Sequence, residues 1–208
     1  MNEYWDKRYS AEGKIWGDAP SGTAVTALEL FRQNKVNKVL VPGSGYGRNT
    51  RLFAASGFKV TGVEISFEAC RLATTFDPRT RIFNLSALDM TAIKDKFDGL
   101  YGFNVLHLFR AGDRQSFVRQ CAARMKKNGI MFFTVFSERE PSYGKGAEVE
   151  PGTFESKPGR PVHYFTENDL KEHFKGMEIT ATGLAADPED HGEGPHTHIL
   201  RYICLKAG

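Results

Sequence analysis

Cysteine is scarce: Cys70, Cys121 and Cys204 are the only three in 208 residues. The number is odd, the spacings are long and each lies in an apolar-periodic context. That argues against a disulfide framework or a cysteine zinc site and for reduced, buried thiols. No apolar run approaches the ~20 residues that a membrane helix needs. Residues 1–8 hold no apolar signal region, so a cytoplasmic protein without membrane contact is expected. Basic residues exceed acidic ones by only three charges, 28 against 25, and form no massed tract, which argues against a nucleic-acid partner. Internal repeats and low-complexity stretches are missing too. What remains, 40% hydrophobic and 25% charged residues, is the composition of one ordinary globular domain with a real core.

Apolar periodicity alternates between strand and helix. Strands are expected at 38–41, 59–63, 81–85, 97–103 and 130–136, and helices at 24–33, 48–55, 67–75 and 114–125. Such alternation predicts a doubly wound α/β fold, a mostly parallel sheet with helices on both faces. A further helix opens at Thr166, and strands at 178–183 and 198–206 flank a polar loop at 187–195. That closing pair implies an antiparallel last strand. Residues 137–162 carry four prolines and several glycines and are expected to be a long loop over the acceptor side. The chain divides into a cap (1–35), a core (36–136), this loop region (137–165) and the closing helix and strand pair (166–208).

The core turns on one stretch. The apolar run Val39-Leu40-Val41 ends at Pro42-Gly43-Ser44-Gly45-Tyr46-Gly47, and a helical pattern follows. Glycines there let the main chain approach a ligand where a Cβ would clash. The second strand ends in a single acid, Glu64, 19 residues after Gly45. A carboxylate at that place can accept both hydroxyls of a ribose. Both tryptophans lie near the N-terminus, with Trp5, Tyr9 and Trp16 in one short polar segment. These rings suit either an amphipathic helix packed on the domain or a flap over a ligand, and the two are compatible.

The spacing is G-x-G-x-G, with Arg48 at the third glycine position of the dinucleotide pattern. The run Val39 to Gly47, the pair Val63-Glu64, Ala87-Leu88-Asp89-Met90, and Phe97-Asp98 through His107 together resemble the motifs of class I S-adenosylmethionine-dependent methyltransferases. The glycine turn resembles the tellurite-resistance group, and the N-terminal aromatics the thiopurine methyltransferase-like group. The resemblance implies a Rossmann-like seven-stranded sheet, S-adenosyl-L-methionine as cofactor, and a small-molecule acceptor, a thiol or chalcogen oxyanion among them. It implies that Gly43, Gly45 and Gly47 floor the methionine part, that Glu64 holds the ribose and that Ile65 packs on adenine. Asp89 would take the adenine amino group, with Leu88 or Met90 beside it, and Asn104 and Val105 would lie beneath the sulfonium. Trp5, Tyr9 and Trp16 would contact the cofactor. Asp89 as a turn cap and Asn104 as a turn residue are the plainer readings. Pro42 departs from the family, which often has a polar residue there.

A soft anion needs no general base, whereas a hydroxyl or amine can require one, for which His107 and His163 are the candidates. His107 in an apolar run also suits simple packing. His191, His196 and His198 lack an acidic or cysteine partner at a fixed short spacing, so no metal site is expected. Arg139, Arg160 and Arg201 can steer an anionic acceptor. A monomeric enzyme is expected, with a nicotinamide-dependent oxidoreductase or a non-catalytic adenosylmethionine-binding protein as the alternatives.

Overall fold

The computed structural model describes residues 2–190 and 194–208. Helices α1 (Asn2–Glu12) and α2 (Gly22–Gln33) precede the core. The core runs β1 (Lys38–Pro42), α3 (Thr50–Ala55), β2 (Lys59–Glu64), α4 (Phe67–Phe76), β3 (Arg81–Asn84), β4 (Phe97–Phe103), α5 (Ala111–Arg124) and β5 (Met125–Phe136). Then come β6 (Ala147–Glu150), β7 (Thr153–Lys157), β8 (Arg160–His163), α6 (Glu167–His173), β9 (Glu178–Glu189) and β10 (His196–Lys206). The main sheet has seven strands in the order β3-β2-β1-β4-β5-β10-β9. β10 runs antiparallel to both its neighbours, and the pairings among the first five strands of the order are parallel. This is the doubly wound, mostly parallel sheet with an antiparallel last strand that the alternation and the closing strand pair imply, in the seven-stranded Rossmann-like form that the motif resemblance implies.

Period-two side-chain alternation decides which layer each residue fills. Val39 and Val41 pack with Phe31, Phe53 and Phe132 under α2 and α3. Leu40, Met131 and Phe133 point the other way, onto Phe117, Leu170 and Phe174 of α5 and α6. Both faces are covered, so the central strands read as unbroken apolar runs. Ser21 caps α2, Ser66 caps α4 and Thr166 caps α6, each side chain accepting from a backbone N–H three residues on. Among the described residues, no helix is long and apolar enough to cross a membrane.

Two expectations change. The stretch 137–162 is no bare loop, because β6, β7 and β8 form a three-stranded antiparallel sheet. Its turns carry Pro151-Gly152 and Pro158-Gly159, with φ of +68° and +74° at the glycines. Proline followed by left-handed glycine is a hairpin signature that the count of chain breakers obscured. The closing pair is also longer than its periodicity predicts, β9 reaching Glu189 and β10 starting at His196.

Candidate functional site

The ends of the parallel strands and the start of antiparallel β10 share one edge of the sheet. In α/β sheets ligands bind in the crevice outside that edge. A cavity of about 490 Å³ lies there, a size usual for small-molecule sites. It runs past Glu64 on β2, the glycine turn after β1, Asn104 after β4, Phe136 on β5 and His198 on β10. Four strand spacings separate the two ends, roughly 19 Å.

At the first end, Glu64 is 6% exposed. Its two oxygens accept separately from the N–H of Gly45 (2.9 Å) and of Ser66 (2.8 Å). Burial pushes its carboxyl above the ordinary range, opposed by those two backbone bonds. Each oxygen keeps lone-pair capacity for a ligand hydroxyl. Ser44 Oγ, on the cavity wall, is buried without a hydrogen-bond partner among the described residues.

The glycines have different tasks. A Cβ on Gly43 (φ +68°) would lie 2.2 Å from Val105 Cγ2, and one on Gly45 (φ +57°) 2.9 Å from the Tyr9 hydroxyl. Both line the cavity. Gly47 does not line it: its bare face admits Asp77, whose Cβ would be 2.8 Å from a Cβ there, and Asp77 accepts from Thr50 Oγ1 at 2.5 Å. Gly47 therefore packs α3 against the end of α4 and does not floor the cavity. Asn104 holds φ +51°, a left-handed conformation that asparagine tolerates. Its N–H donates to the Thr134 carbonyl (3.1 Å) and its Oδ1 accepts from Thr134 Oγ1 (3.0 Å). This bend seats Val105 against the glycine turn.

The N-terminal aromatics form one wall. Trp5, Tyr9, Trp16 and Tyr46 all line the cavity, and Trp16 stacks on Tyr46 with planes 10° apart. Tyr46 donates to the Gly17 carbonyl (2.6 Å) and accepts from the Trp16 N–H (3.2 Å). Arg48 donates to the Trp16 carbonyl (3.1 Å) and pairs with Glu189 (2.9 Å), tying the wall to β9. Asp6 on α1 accepts from Ser66 Oγ (2.7 Å) and anchors that helix at the start of α4. Tyr46 and Arg48 are functional candidates that the motif reading passed over, although they stand inside the glycine turn itself.

The third motif shifts in place. Ser86 and Ala87 line the cavity, whereas Leu88, Asp89 and Met90 do not. Asp89 Oδ1 accepts from the Thr91 N–H (3.1 Å) and Oγ1 (2.6 Å), closing a side-chain turn. Met90 is fully buried in the core, and Leu88 packs against it. Ile65 lines the cavity as expected from its position beside Glu64.

Neither candidate base has a basic nitrogen to offer. His107 lines the cavity, but its Nδ1 accepts from the Phe136 N–H (3.2 Å) and its ring stacks on Phe136 at 4.2 Å. The neutral ring must then carry its proton on Nε2. Burial drives its pKa well below the usual histidine value. His163 lies off the cavity wall, with Nδ1 2.8 Å from Thr153 Oγ1 and Nε2 2.6 Å from Asp169. It buttresses the small sheet on α6.

The far wall comes from β5, the small sheet and the β9–β10 hairpin, and includes Lys145, Lys157, Arg160, His196 and His198. Of the three arginines expected to steer an anion, only Arg160 lines the cavity. Arg201 pairs with Glu138 and Arg139 is exposed beside the same carboxylate. The hairpin register sets His196 opposite Glu189. His191 lies outside the described residues.

A family model described as a methyltransferase domain matches residues 21–180. No curated protein matches the chain. Solved structures do. TehB from Haemophilus influenzae is 16% identical with a TM-score of 0.68, covering 100% of this chain and 67% of its own. The 1,6-didemethyltoxoflavin-N1-methyltransferase of Burkholderia thailandensis, with S-adenosylhomocysteine bound, is 19% identical with a TM-score of 0.67, covering 99% and 83%. The magnesium protoporphyrin IX methyltransferase of Synechocystis PCC 6803, with S-adenosylmethionine bound, is 12% identical with a TM-score of 0.69, covering 100% and 95%. At such identities the likeness establishes the fold.

Proposed function

The chain belongs to the methyltransferase-domain family, as a class I S-adenosylmethionine-dependent enzyme, and from that premise we propose that it methylates a small acceptor that binds as an anion. The observation that carries this reading is the far wall. Lys145, Lys157 and Arg160 line it, and among the described residues none of them forms an ion pair with a carboxylate. Among the described residues Arg160 donates only a long bond to the Tyr4 hydroxyl (3.3 Å), and its Nε is buried with no partner among them. Cations left unpaired on a concave wall favour a negatively charged guest.

The cavity suits the cofactor at its other end. Glu64 offers two carboxylate oxygens to a ribose, Ile65, Ser86 and Ala87 flank the adenine, and Gly43 and Gly45 line the cavity beside the methionine part, with Val105 and the Tyr9 hydroxyl packed where a Cβ on either would stand. Trp5, Tyr9 and Trp16 cover it. Arg48 holds that cover shut through the Trp16 carbonyl. When bound, the cofactor supplies an already activated sulfonium methyl. What the protein adds is alignment and the exclusion of water. Val105, wedged under the glycine turn, and Phe136 wall the middle of the cavity between the two ends.

Neither His107 nor His163 can take a proton from the acceptor, which agrees with a nucleophile that arrives deprotonated. A thiolate or a chalcogen oxyanion meets that condition. The test is release of S-adenosylhomocysteine with thiols, selenite, tellurite, phenols and amines as acceptors. Turnover confined to the acceptors that ionise near neutral pH is the expected result. Turnover of amines alone, or of nothing while the cofactor binds, overturns it.

A further inference from the structure

The β9–β10 hairpin places three metal-ligating side chains together on the cavity wall. Glu189, His196 and His198 present ligand atoms that all lie within 4.8 Å of one another. They line the acceptor end of the cavity. Both rings have an acceptor oxygen behind them. His196 Nδ1 is 3.2 Å from the Gly194 carbonyl, which can only accept. His198 Nδ1 is 2.7 Å from a Glu140 oxygen, and the other Glu140 oxygen accepts from the Ile199 N–H at 2.7 Å. With Nδ1 of each ring turned to an acceptor oxygen, the two Nε2 atoms face each other across a gap of 3.2 Å.

We propose that Glu189, His196 and His198 bind a divalent transition-metal ion, zinc fitting best, with an open coordination position toward the acceptor. Zinc–nitrogen bonds of 2.0–2.1 Å at the tetrahedral angle put two ring nitrogens about 3.3–3.4 Å apart, close to the separation present here. Glu189 Oε2 stands 3.7 Å from His198 Nε2, while its Oε1 is occupied by Arg48. The carboxylate is therefore already oriented, with one oxygen left for the ion. Glu140, whose side chain is 3% exposed, holds the His198 ring as a carboxylate holds a metal-bound histidine. Three protein ligands on a cavity wall leave a fourth position for an acceptor oxygen or sulfur anion. The competing occupant of the gap is a proton shared by the two rings.

Zinc chloride titrated by calorimetry into chelator-stripped full-length protein, without cofactor or acceptor, separates the two. The same titration with cobalt(II) reports geometry through its visible absorption. One equivalent bound, with a tetrahedral cobalt spectrum, is expected. His196→Asn and His198→Asn should each weaken binding at least tenfold, and Glu140→Gln by 10- to 100-fold through the ring it positions. No saturable binding by the wild type assigns the gap to a proton and overturns the proposal. So does affinity unchanged in folded His198→Asn. Because methyl transfer is not the readout, failure here leaves the proposed acceptor class standing.

Discussion

Replacing Glu64 by glutamine tests the cofactor end of the cavity. The change keeps shape and volume but converts one oxygen into an amide nitrogen. In the native site both oxygens accept backbone N–H bonds, from Gly45 and Ser66, so glutamine must turn its NH2 toward one of those donors. It also removes the charge that strengthens a bond from a ribose hydroxyl. A hydrogen bond to a charged group contributes about 1.5–3 kcal/mol, which corresponds to roughly a 10- to 150-fold weaker Kd. Calorimetric titration with S-adenosylhomocysteine measures it directly, with circular dichroism confirming the fold. An unchanged Kd in folded Glu64→Gln would refute the assignment of Glu64 to the ligand. The pH dependence adds a second check. Burial raises the native pKa of Glu64, so its ionised form lowers the stability of the ligand-free protein. That penalty is complete above the raised pKa and vanishes below the ordinary glutamate value, so across the window between them this group makes stability fall as pH rises. Cofactor affinity should follow the opposite course, dropping as pH falls through the raised pKa.

Three further outcomes follow from the same geometry. Gly43→Ala should destabilise the fold by more than the ~1–2 kcal/mol of a left-handed non-glycine residue, because its Cβ meets Val105 Cγ2. Adding Val105→Ala should recover the excess in urea unfolding, and simple additivity of the two changes would contradict the contact. Arg160→Met should raise the KM for an anionic acceptor about tenfold, the loss of one charged hydrogen bond, and flatten its salt dependence. An unchanged KM would place the acceptor elsewhere. Burial pushes the Asp169 carboxyl up, but the hydrogen bonds from His163 and His173 outweigh it and hold the pKa far below the ordinary aspartate value. Its contribution is therefore full above that ordinary value and lost as pH falls through the native one. Asp169→Asn should lower Tm at neutral pH, with the gap to wild type closing in acid; a constant gap would contradict the pairing.

Much of this was legible along the chain because it is local. The run ending at Pro42, the glycines after it and the acid closing β2 lie within 27 residues of one another, and a strand–turn–helix unit fixes their relation. The Pro-Gly pairs at 151–152 and 158–159 are legible too, but a count of prolines and glycines over 137–162 points to a loop where these pairs form hairpin turns. Asp89 misled for the opposite reason. Its motif looked right, yet the chain leaves the sheet at Asn84, so Ser86 and Ala87 reach the cavity while Asp89 bonds its own turn.

Sequence alone determined the layered sheet, the edge where the cavity opens and Glu64 as an acid on its wall, since periodicity of two and 3.6 and a glycine turn are properties of short segments. Tertiary structure alone decided what lines the other end of the cavity. Glu189 meets His196 only through the register of a long hairpin. Glu140 reaches His198 from the turn after β5, and Arg160 arrives on a strand of the small sheet. Glu140 and His198, 58 positions apart, meet there because β10 runs backward beside β5. Such pairings depend on register and chain closure over long separations, which no local pattern of residue types encodes.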